Sequence, residues 1–225
     1  MTTPIANALA PVKETQSPIE TREYQEITVS VTTGAAVSHF DKLPNNQPLE
    51  DREIKPMLLR LIRLAQQSIW IAAFTYDDAD ITQELVAAHG RGVAIRISLD
   101  YEQCLGNSSA KKQKDTIARL LEWHSDKAPV EIYVVKPRLA ASSRNAVEHS
   151  KFSIYDGVIA VFGSANFTGN SLDICGEFCE LTKIRGTVQA LQAKSSRHVR
   201  DGTRLTHTEL AAAIARKKER DDESC

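Results

Sequence analysis

Cysteine is rare in this 225-residue chain, which has four: Cys104, Cys175, Cys179 and Cys225. Only Cys175 and Cys179 are close in sequence. No second pair of cysteine or histidine residues stands nearby at metal-binding spacing, which argues against a structural zinc site. Neither the number nor the spacing forms a disulfide framework, so we expect partly buried thiols and a reducing compartment.

Long hydrophobic runs are also missing. No apolar stretch reaches the roughly 18 residues of a membrane span. The N-terminal segment lacks the basic region and the continuous apolar region of a secretory signal. Its Pro, Thr, Glu and Gln content predicts a flexible arm over residues 1–23. The expected location is therefore cytoplasmic, without integral membrane association.

Neither sign of charge is in excess. The chain has 28 Lys and Arg against 29 Asp and Glu, a formal net charge of −1. A protein that coats nucleic acid is usually more basic, although a local basic groove remains compatible with this balance. Aromatic residues make up 6%, which leaves few side chains for base stacking. The 42% hydrophobic content is ordinary for a globular domain of this length.

Strand and helix patterns alternate along most of the chain. β-Branched or continuous apolar runs predict strands at 26–33, 68–76, 93–100, 130–135 and 177–184. Amphipathic segments predict helices at 54–67, 78–90, 108–125, 186–199 and 207–224. Residues 39–51 have turn chemistry and are predicted as a loop. This alternation predicts an α/β fold, a mixed β-sheet flanked by helices.

Polar side chains are concentrated in one strand-like stretch, AVEHSKFSIYDGVIAVFGSANFTGNS, residues 146–171. Its Asp-Gly pair at 156 and 157 predicts a two-residue hairpin loop with Tyr155 opposite Val158. Opposed residues, and residues two apart on one strand, share a face. In this register four polar residues project together at one end of the hairpin: His149, Lys151, Ser164 and Asn166.

The chemical types in this group suit a phosphate. Lys151, Ser164 and Asn166 are donors for its non-bridging oxygens. The imidazole of His149 can attack phosphorus or transfer a proton. No cluster of Asp, Glu and His indicates a two-metal site. Taken singly, a strand histidine or a lysine near a turn is more often structural or solvated, so the argument depends on the joint pattern.

That joint pattern is H-x-K-x4-D-x6-G-S-x-N, formed by His149, Lys151, Asp156, Gly163, Ser164 and Asn166. It resembles the HKD signature of the phospholipase D superfamily, and the continuation GSANFTGNS is also similar. The likeness extends upstream through 68–100 and covers roughly residues 26–184. It implies a phospholipase D-like catalytic domain over 24–200, with the arm at 1–23 and a charged helical tail at 201–225 outside it.

Only one such motif is present, whereas the family's active site needs two histidines. The resemblance therefore implies a homodimer that places both motifs face to face about a two-fold axis. It further implies that His149 of one subunit attacks phosphorus to form a phosphohistidine. His149 of the partner subunit protonates the leaving alcohol and later activates water. No metal or other cofactor is implied.

The resemblance also assigns roles to the remaining motif residues. Lys151 and Asn166 would hold the phosphoryl oxygens, with assistance from Ser164. Glu177 stands eleven residues after Asn166, where similar single-motif nucleases place a glutamate that hydrogen-bonds the catalytic histidine. Asp156 falls at the predicted turn, so a structural role is expected for it.

Three functions remain open at this point. The first is a metal-independent phosphodiesterase acting on nucleic acid, a nuclease or endonuclease. Basic residues on the loop before the motif favour it: Lys136, Arg138 and Arg144, with possible additions from Lys111, Lys112 and Lys114. The second is a phospholipase D or cardiolipin hydrolase-type enzyme acting on phospholipid. The third is a non-catalytic binding protein on the same fold.

Overall fold

One mixed β-sheet of eight strands forms the centre of the part of the chain that the structure describes. This computed structural model describes residues 39–106, 111–122, 130–136 and 147–223. The strands are β1 (Asn46–Glu50), β2 (Ser68–Ala73), β3 (Ala94–Asp100), β4 (Val130–Val135), β5 (Phe152–Tyr155), β6 (Ile159–Gly163), β7 (Phe178–Thr182) and β8 (Thr203–Arg204). Their order in the sheet is β1-β7-β6-β5-β2-β3-β4-β8. Strands β2, β3 and β4 are parallel and the other neighbours antiparallel, which confirms the predicted mixed sheet.

Seven helices accompany the sheet within the described residues: α1 (Ile54–Leu64), α2 (Ala79–Gly90), α3 (Tyr101–Leu105), α4 (Lys111–Glu122), α5 (Gly169–Asp173), α6 (Arg185–Asp201) and α7 (His207–Glu223). Helix α1 buries the apolar stripe that its spacing predicts, Ile54, Leu58, Leu61 and Ile62. Helix α2 begins after Asp78, whose side chain accepts a hydrogen bond from the Ile81 N–H at 2.9 Å. This is the expected Asp cap.

The helices cover both faces of the sheet, which explains why β2 is apolar along most of its length. Ile71 of β2 packs in the large core cluster that includes α1, α2 and α4 residues. Its neighbour Ala72 points to the other face and packs with Phe152 and with Val188 of α6. Alternate residues of one strand therefore contact different helical layers.

The prediction of a loop over residues 39–51 is wrong in its second half. Residues 46–50 form β1, which pairs antiparallel with β7, Pro48 standing opposite Glu180. A proline has no N–H to donate, but at the edge of a sheet one side of the strand needs no partner. The polar sequence and the proline hid a strand because an edge strand does not require the alternating apolar pattern.

The predicted hairpin between β5 and β6 is present, but its register is wrong by one residue. Asp156 (φ 50) and Gly157 (φ 68) adopt the left-handed conformations expected of an Asp-Gly turn, and the Val158 N–H donates to the Tyr155 carbonyl at 3.1 Å. Beyond the turn, Tyr155 pairs with Ile159 rather than with Val158. Val158 is thus an additional residue on the second strand, the effect of a bulge.

The predicted tail at 201–225 is not separate from the domain where it is described. Strand β8 pairs with β4, and Leu205, Leu210 and Ala213 are buried. The many charged residues of this tail made it look fully solvated, although its apolar residues pack onto the domain. The predicted arm at 1–23 and the predicted strand at 26–33 lie outside the described residues.

Candidate active site

His149, Lys151, Ser164 and Asn166 of the motif lie at one end of the sheet's strands, where several chain segments meet. His149 and Lys151 precede β5, Ser164 and Asn166 follow β6, and Glu177 precedes β7. Because β5 runs antiparallel to β2, this is also the edge at which parallel strands β2, β3 and β4 end. The carboxyl ends of parallel strands are the usual place for a ligand site in such sheets. The one-residue error in register does not change this edge.

Phe74, directly after β2, contacts both basic side chains of the motif. The imidazole of His149 is exposed and its ring centroid lies 4.6 Å from that of Phe74. The Lys151 Nζ lies 5.4 Å from the same ring and donates to the His149 carbonyl at 2.9 Å. The ring therefore forms an apolar wall that holds the imidazole and the ammonium next to each other.

Lys151 is buried although it carries an ammonium group. Burial lowers the pKa of Lys151, and the negative charges of Glu177 and Glu148 act in the opposite direction. A cation held in a partly desolvated place interacts more strongly with an anion than a solvated lysine does. The site thus offers a fixed positive charge next to the exposed imidazole.

Asn166 belongs to a loop that is attached to the segment after β2. Its side-chain Oδ1 is 3.4 Å from the Thr75 N–H, a long hydrogen bond, and its own N–H donates to Ser171 Oγ at 2.9 Å. One residue further, the Phe167 carbonyl accepts from the Asp77 and Asp78 N–H groups. With Oδ1 directed at the backbone, the amide nitrogen of Asn166 is the donor left for a ligand.

Glu177 is held by two hydroxyl groups. Ser164 Oγ donates to Glu177 Oε2 at 2.5 Å, and Ser171 Oγ donates to Oε1. The Glu177 N–H donates to the carboxylate of Asp51, directly after β1. The ring of His149 packs against Phe74, and the predicted hydrogen bond from His149 to Glu177 remains a prediction.

Asp156 lies at the opposite end of the hairpin, away from the other motif residues. Its carboxylate accepts three backbone hydrogen bonds from the loop between α1 and β2, from Gln66 (2.9 Å), Gln67 (2.8 Å) and Ser68 (2.8 Å). These bonds attach the hairpin turn to the start of β2. The geometry is that of a structural anchor made through backbone amides.

A family model described as cardiolipin synthase, PLD-like domain, matches residues 58–199, more than half of the chain. The chain belongs to the phospholipase D superfamily.

One curated relative and two solved structures are also similar to this chain. The mitochondrial cardiolipin hydrolase of Xenopus tropicalis is 26% identical over 150 residues, which cover 67% of this chain and 62%, less than two thirds, of that protein. NucT from Helicobacter pylori superposes with a TM-score of 0.60 at 21% identity, covering 71% of this chain and 98% of that one. Nuc from Salmonella typhimurium, a phospholipase D family member, gives 0.59 at 19% identity, with the same coverages of 71% and 98%. The predicted phospholipase D-like fold is confirmed.

Of the basic residues expected near this phospholipase D-like site, two are exposed and paired with carboxylates, one is buried, and the others lie outside the described residues. Lys136 is 66% exposed, lies 3.6 Å from Glu102 and stacks over the Tyr101 ring. Lys112 is also exposed and pairs with Asp77 at 3.1 Å. Lys114 is buried and donates to a backbone carbonyl of α7, so the expectation that it contacts substrate is wrong. Arg138, Arg144 and the side chain of Lys111 lie outside the described residues.

Two residues of the site escaped the sequence analysis. Phe74 stands near the end of a predicted buried strand. Its position at the carboxyl end of a parallel strand could have indicated that it lies at the site. Ser171 is buried and joins Asn166 to Glu177, a contact across loops that no spacing rule reveals. Among the described residues, no three His, Cys, Asp or Glu side chains group as a metal site, and no helix is long and apolar enough to cross a membrane.

Proposed function

We propose that the protein is a metal-independent phosphodiesterase that acts as a homodimer, with nucleic acid as its substrate. The observation that carries the proposal is the meeting of an exposed imidazole, a buried ammonium and an amide donor at one sheet edge, from His149, Lys151 and Asn166. These groups supply a nucleophile and donors for the phosphoryl oxygens of one phosphodiester.

The proposed reaction has two steps. A ring nitrogen of His149 forms a bond to phosphorus while the P–O bond to the leaving alcohol breaks, and the imidazolium of the partner subunit's His149 gives the alcohol its proton. Water then attacks the phosphohistidine, loses a proton to the partner subunit's His149, and the P–N bond breaks. Lys151 and the Asn166 amide stabilise the negative charge on the oxygens in both steps.

Nucleic acid is proposed as substrate because two exposed lysines lie at the same end of the strands as the site, each paired with a carboxylate. Lys136 follows β4 at the active edge, and Lys112 is paired with Asp77 in the segment after β2. In sequence, Arg138 and Arg144 follow Lys136 closely. Such cations contact the phosphates of a polymeric substrate without reading its bases.

A phospholipid substrate is the second candidate, and a separate observation favours it. Ile174 and Phe178 are 78% and 52% exposed on either side of Glu177. Apolar side chains beside an active site suit contact with the acyl chains of a lipid surface. The name of the Xenopus relative, a cardiolipin hydrolase, agrees with this alternative. The cytoplasmic location expected from the sequence stays a prediction, since that relative is named as mitochondrial.

A substrate panel tests the proposal. Purified protein is assayed in EDTA with bis(p-nitrophenyl) phosphate, single-stranded and double-stranded oligonucleotides, and cardiolipin vesicles. We expect hydrolysis of the first substrate and of oligonucleotide, abolished by His149→Ala. Cleavage of cardiolipin alone would select the lipid alternative. Hydrolysis of none, together with tight oligonucleotide binding, would instead identify a binding protein.

The dimer is tested by subunit mixing. Hybrids of wild type with His149→Ala are expected to be inactive or nearly so, because each site needs both histidines. Mixed samples then lose activity in proportion to the hybrid fraction measured by tandem tags. Full activity in a protein that sediments as a monomer would contradict the two-histidine site.

A further inference from the structure

Glu148 stands directly before His149, but its side chain faces the other side of the chain. His149 and Lys151 contact Phe74 on the active edge. The carboxylate of Glu148 instead reaches α6, where Oε1 lies 3.2 Å from Lys194 Nζ and Oε2 lies 3.4 Å from His198 Nε2. Neighbouring residues of this segment therefore make contacts on two different sides: one toward the active edge and one toward α6.

The contact with α6 is largely shielded from water. The side chains of Glu148 and His198 are 14% and 5% exposed. The distance from Nε2 to Oε2 suits an ion pair when the ring is protonated, although the angles are not those of a well-aligned hydrogen bond. Ion pairs that are partly desolvated have a more defined geometry than surface pairs, which are often mobile and weak.

The same carboxylate also fixes the residue after His149. Glu148 Oε1 accepts hydrogen bonds from the Ser150 N–H at 3.1 Å and from the Ser150 hydroxyl. The Glu148 N–H in turn donates to Asp100 Oδ2 at 2.7 Å, and Asp100 is buried at the end of β3. The backbone is thus held immediately before and immediately after His149.

Glu148 is ionised over the whole neutral range. Burial alone would raise its pKa, but contacts with His198 and Ser150 and the charge on Lys194 bring the pKa well below its usual range. A permanent anion is the form needed to accept from Ser150 and to attract Lys194 at the same time. His149 itself follows β4 and precedes β5 in a segment without strand hydrogen bonds, so these contacts replace the sheet ladder.

We propose that Glu148 is a positioning residue, whose carboxylate fixes Ser150 and ties the segment around His149 to α6, and so aims the exposed imidazole. The bond from its backbone N–H to Asp100 of β3 adds to this anchor and remains when the side chain is replaced. The inference rests on the proposed role of His149 as nucleophile. A misplacement of about 1 Å at a reacting group can reduce a rate by roughly 10²-fold. Loss of the anchor should therefore reduce kcat much more than it changes KM.

Three variants and one control test the proposal. Glu148→Gln keeps an oxygen for Ser150 but loses the charge, Glu148→Ala loses both, and His198→Gln removes the α6 partner. Glu131→Gln is the matched control, because it breaks a half-buried ion pair of similar length, with Arg96 at 3.0 Å, on β3 and β4. Each protein is compared by kcat, KM and unfolding free energy.

We expect kcat to fall about 10-fold for Glu148→Gln and about 10²-fold for Glu148→Ala, with KM within about 3-fold of wild type. Glu131→Gln should keep kcat within about 2-fold. The double variant Glu148→Gln/His198→Gln should lose little more than the worse single variant, because the two residues belong to one contact. Normal kcat in Glu148→Ala, or losses that follow the unfolding free energies in all variants including the control, would overturn the inference.

A readout that needs no turnover separates this inference from the proposed function. The ring signals of His149 are assigned by NMR with His149→Gln as reference. In Glu148→Ala these signals should shift and broaden, whereas in Glu131→Gln they should stay unchanged. If wild type hydrolyses nothing, the proposed function fails, and the NMR comparison still decides whether Glu148 positions His149. Unchanged signals in Glu148→Ala would rule the positioning role out.

Discussion

Replacement of Asp156 by asparagine should weaken the fold without changing the chemistry. Asparagine has nearly the same shape and tolerates the left-handed conformation of this residue, φ 50. The substitution therefore removes only the negative charge and one of the two acceptor oxygens. Asp156 uses Oδ1 for the Gln67 and Ser68 N–H groups and Oδ2 for that of Gln66.

The expected loss follows from these three hydrogen bonds. An amide keeps one oxygen, so one bond to a charged acceptor is lost, which costs about 1.5–3 kcal/mol. The two remaining bonds lose their charge assistance, roughly half of their strength. The total is about 3–6 kcal/mol, which corresponds to a fall in Tm of roughly 6–24 °C for a domain of this size. Since stabilities are about 5–15 kcal/mol, we expect a variant that still folds at low temperature but unfolds at clearly lower urea concentration.

Urea unfolding followed by tryptophan fluorescence measures the change, with Asp115→Asn on the exposed side of α4 as control. The control should alter the unfolding free energy by less than about 0.5 kcal/mol. Below the transition, kcat of Asp156→Asn should stay within about 2-fold of wild type, because the turn lies about seven residues, roughly 20 Å, from His149. A fully stable but inactive variant would refute the reasoning and give Asp156 a role in the chemistry.

Three other outcomes are expected. Glu177→Gln should lower kcat by roughly 10²-fold, because Glu177 is predicted to orient the imidazole of His149, whereas Glu180→Gln should do far less; equal effects would contradict that role. Burial lowers the pKa of Lys55, but hydrogen bonds to three carboxylates raise it overall. Lys55→Met should therefore reduce the free energy of unfolding by about 1–2 kcal/mol at pH 7. In thermal melts this difference should be lost progressively as the pH rises above about 10.4, the pKa of lysine in the unfolded chain. Gly163→Ala should abolish soluble expression or reduce the unfolding free energy by several kcal/mol, because its Cβ would lie 2.2 Å from the Phe178 carbonyl.

Local patterns predicted the elements whose signals are local. The apolar stripe of α1, the Asp78 cap of α2 and the Asp-Gly turn are properties of a few adjacent residues, and each is present. The joint motif placed His149 and Asn166 at one end of a hairpin, and they are found at one sheet edge. These features needed no knowledge of distant parts of the chain.

The features that were missed depend on contacts between distant residues. Val158 shifts the hairpin register, and nothing in its own sequence neighbourhood announces a bulge. Pro48 argues against a central strand, but the pairing of β1 with β7 is decided by residues about 130 positions away. The contact between Glu148 and His198 joins a segment before β5 to a helix some 50 residues later. Spacing rules of period 2 or 3.6 carry no information on such pairs.

The order of strands in the sheet has a consequence for synthesis of the chain on the ribosome. Strand β2 gains its parallel neighbour β3 early, but its other neighbour, β5, is made about 80 residues later, and β1 stays unpaired until β7 emerges. Until then the apolar edge of β2 is a template for pairing with other chains. A nascent chain stalled before residue 152 should therefore aggregate or bind chaperones. Once residue 182 has emerged, β5, β6 and β7 can pair with β2 and β1 and assemble the reactive edge in one late step, and only the short β8 remains to be added.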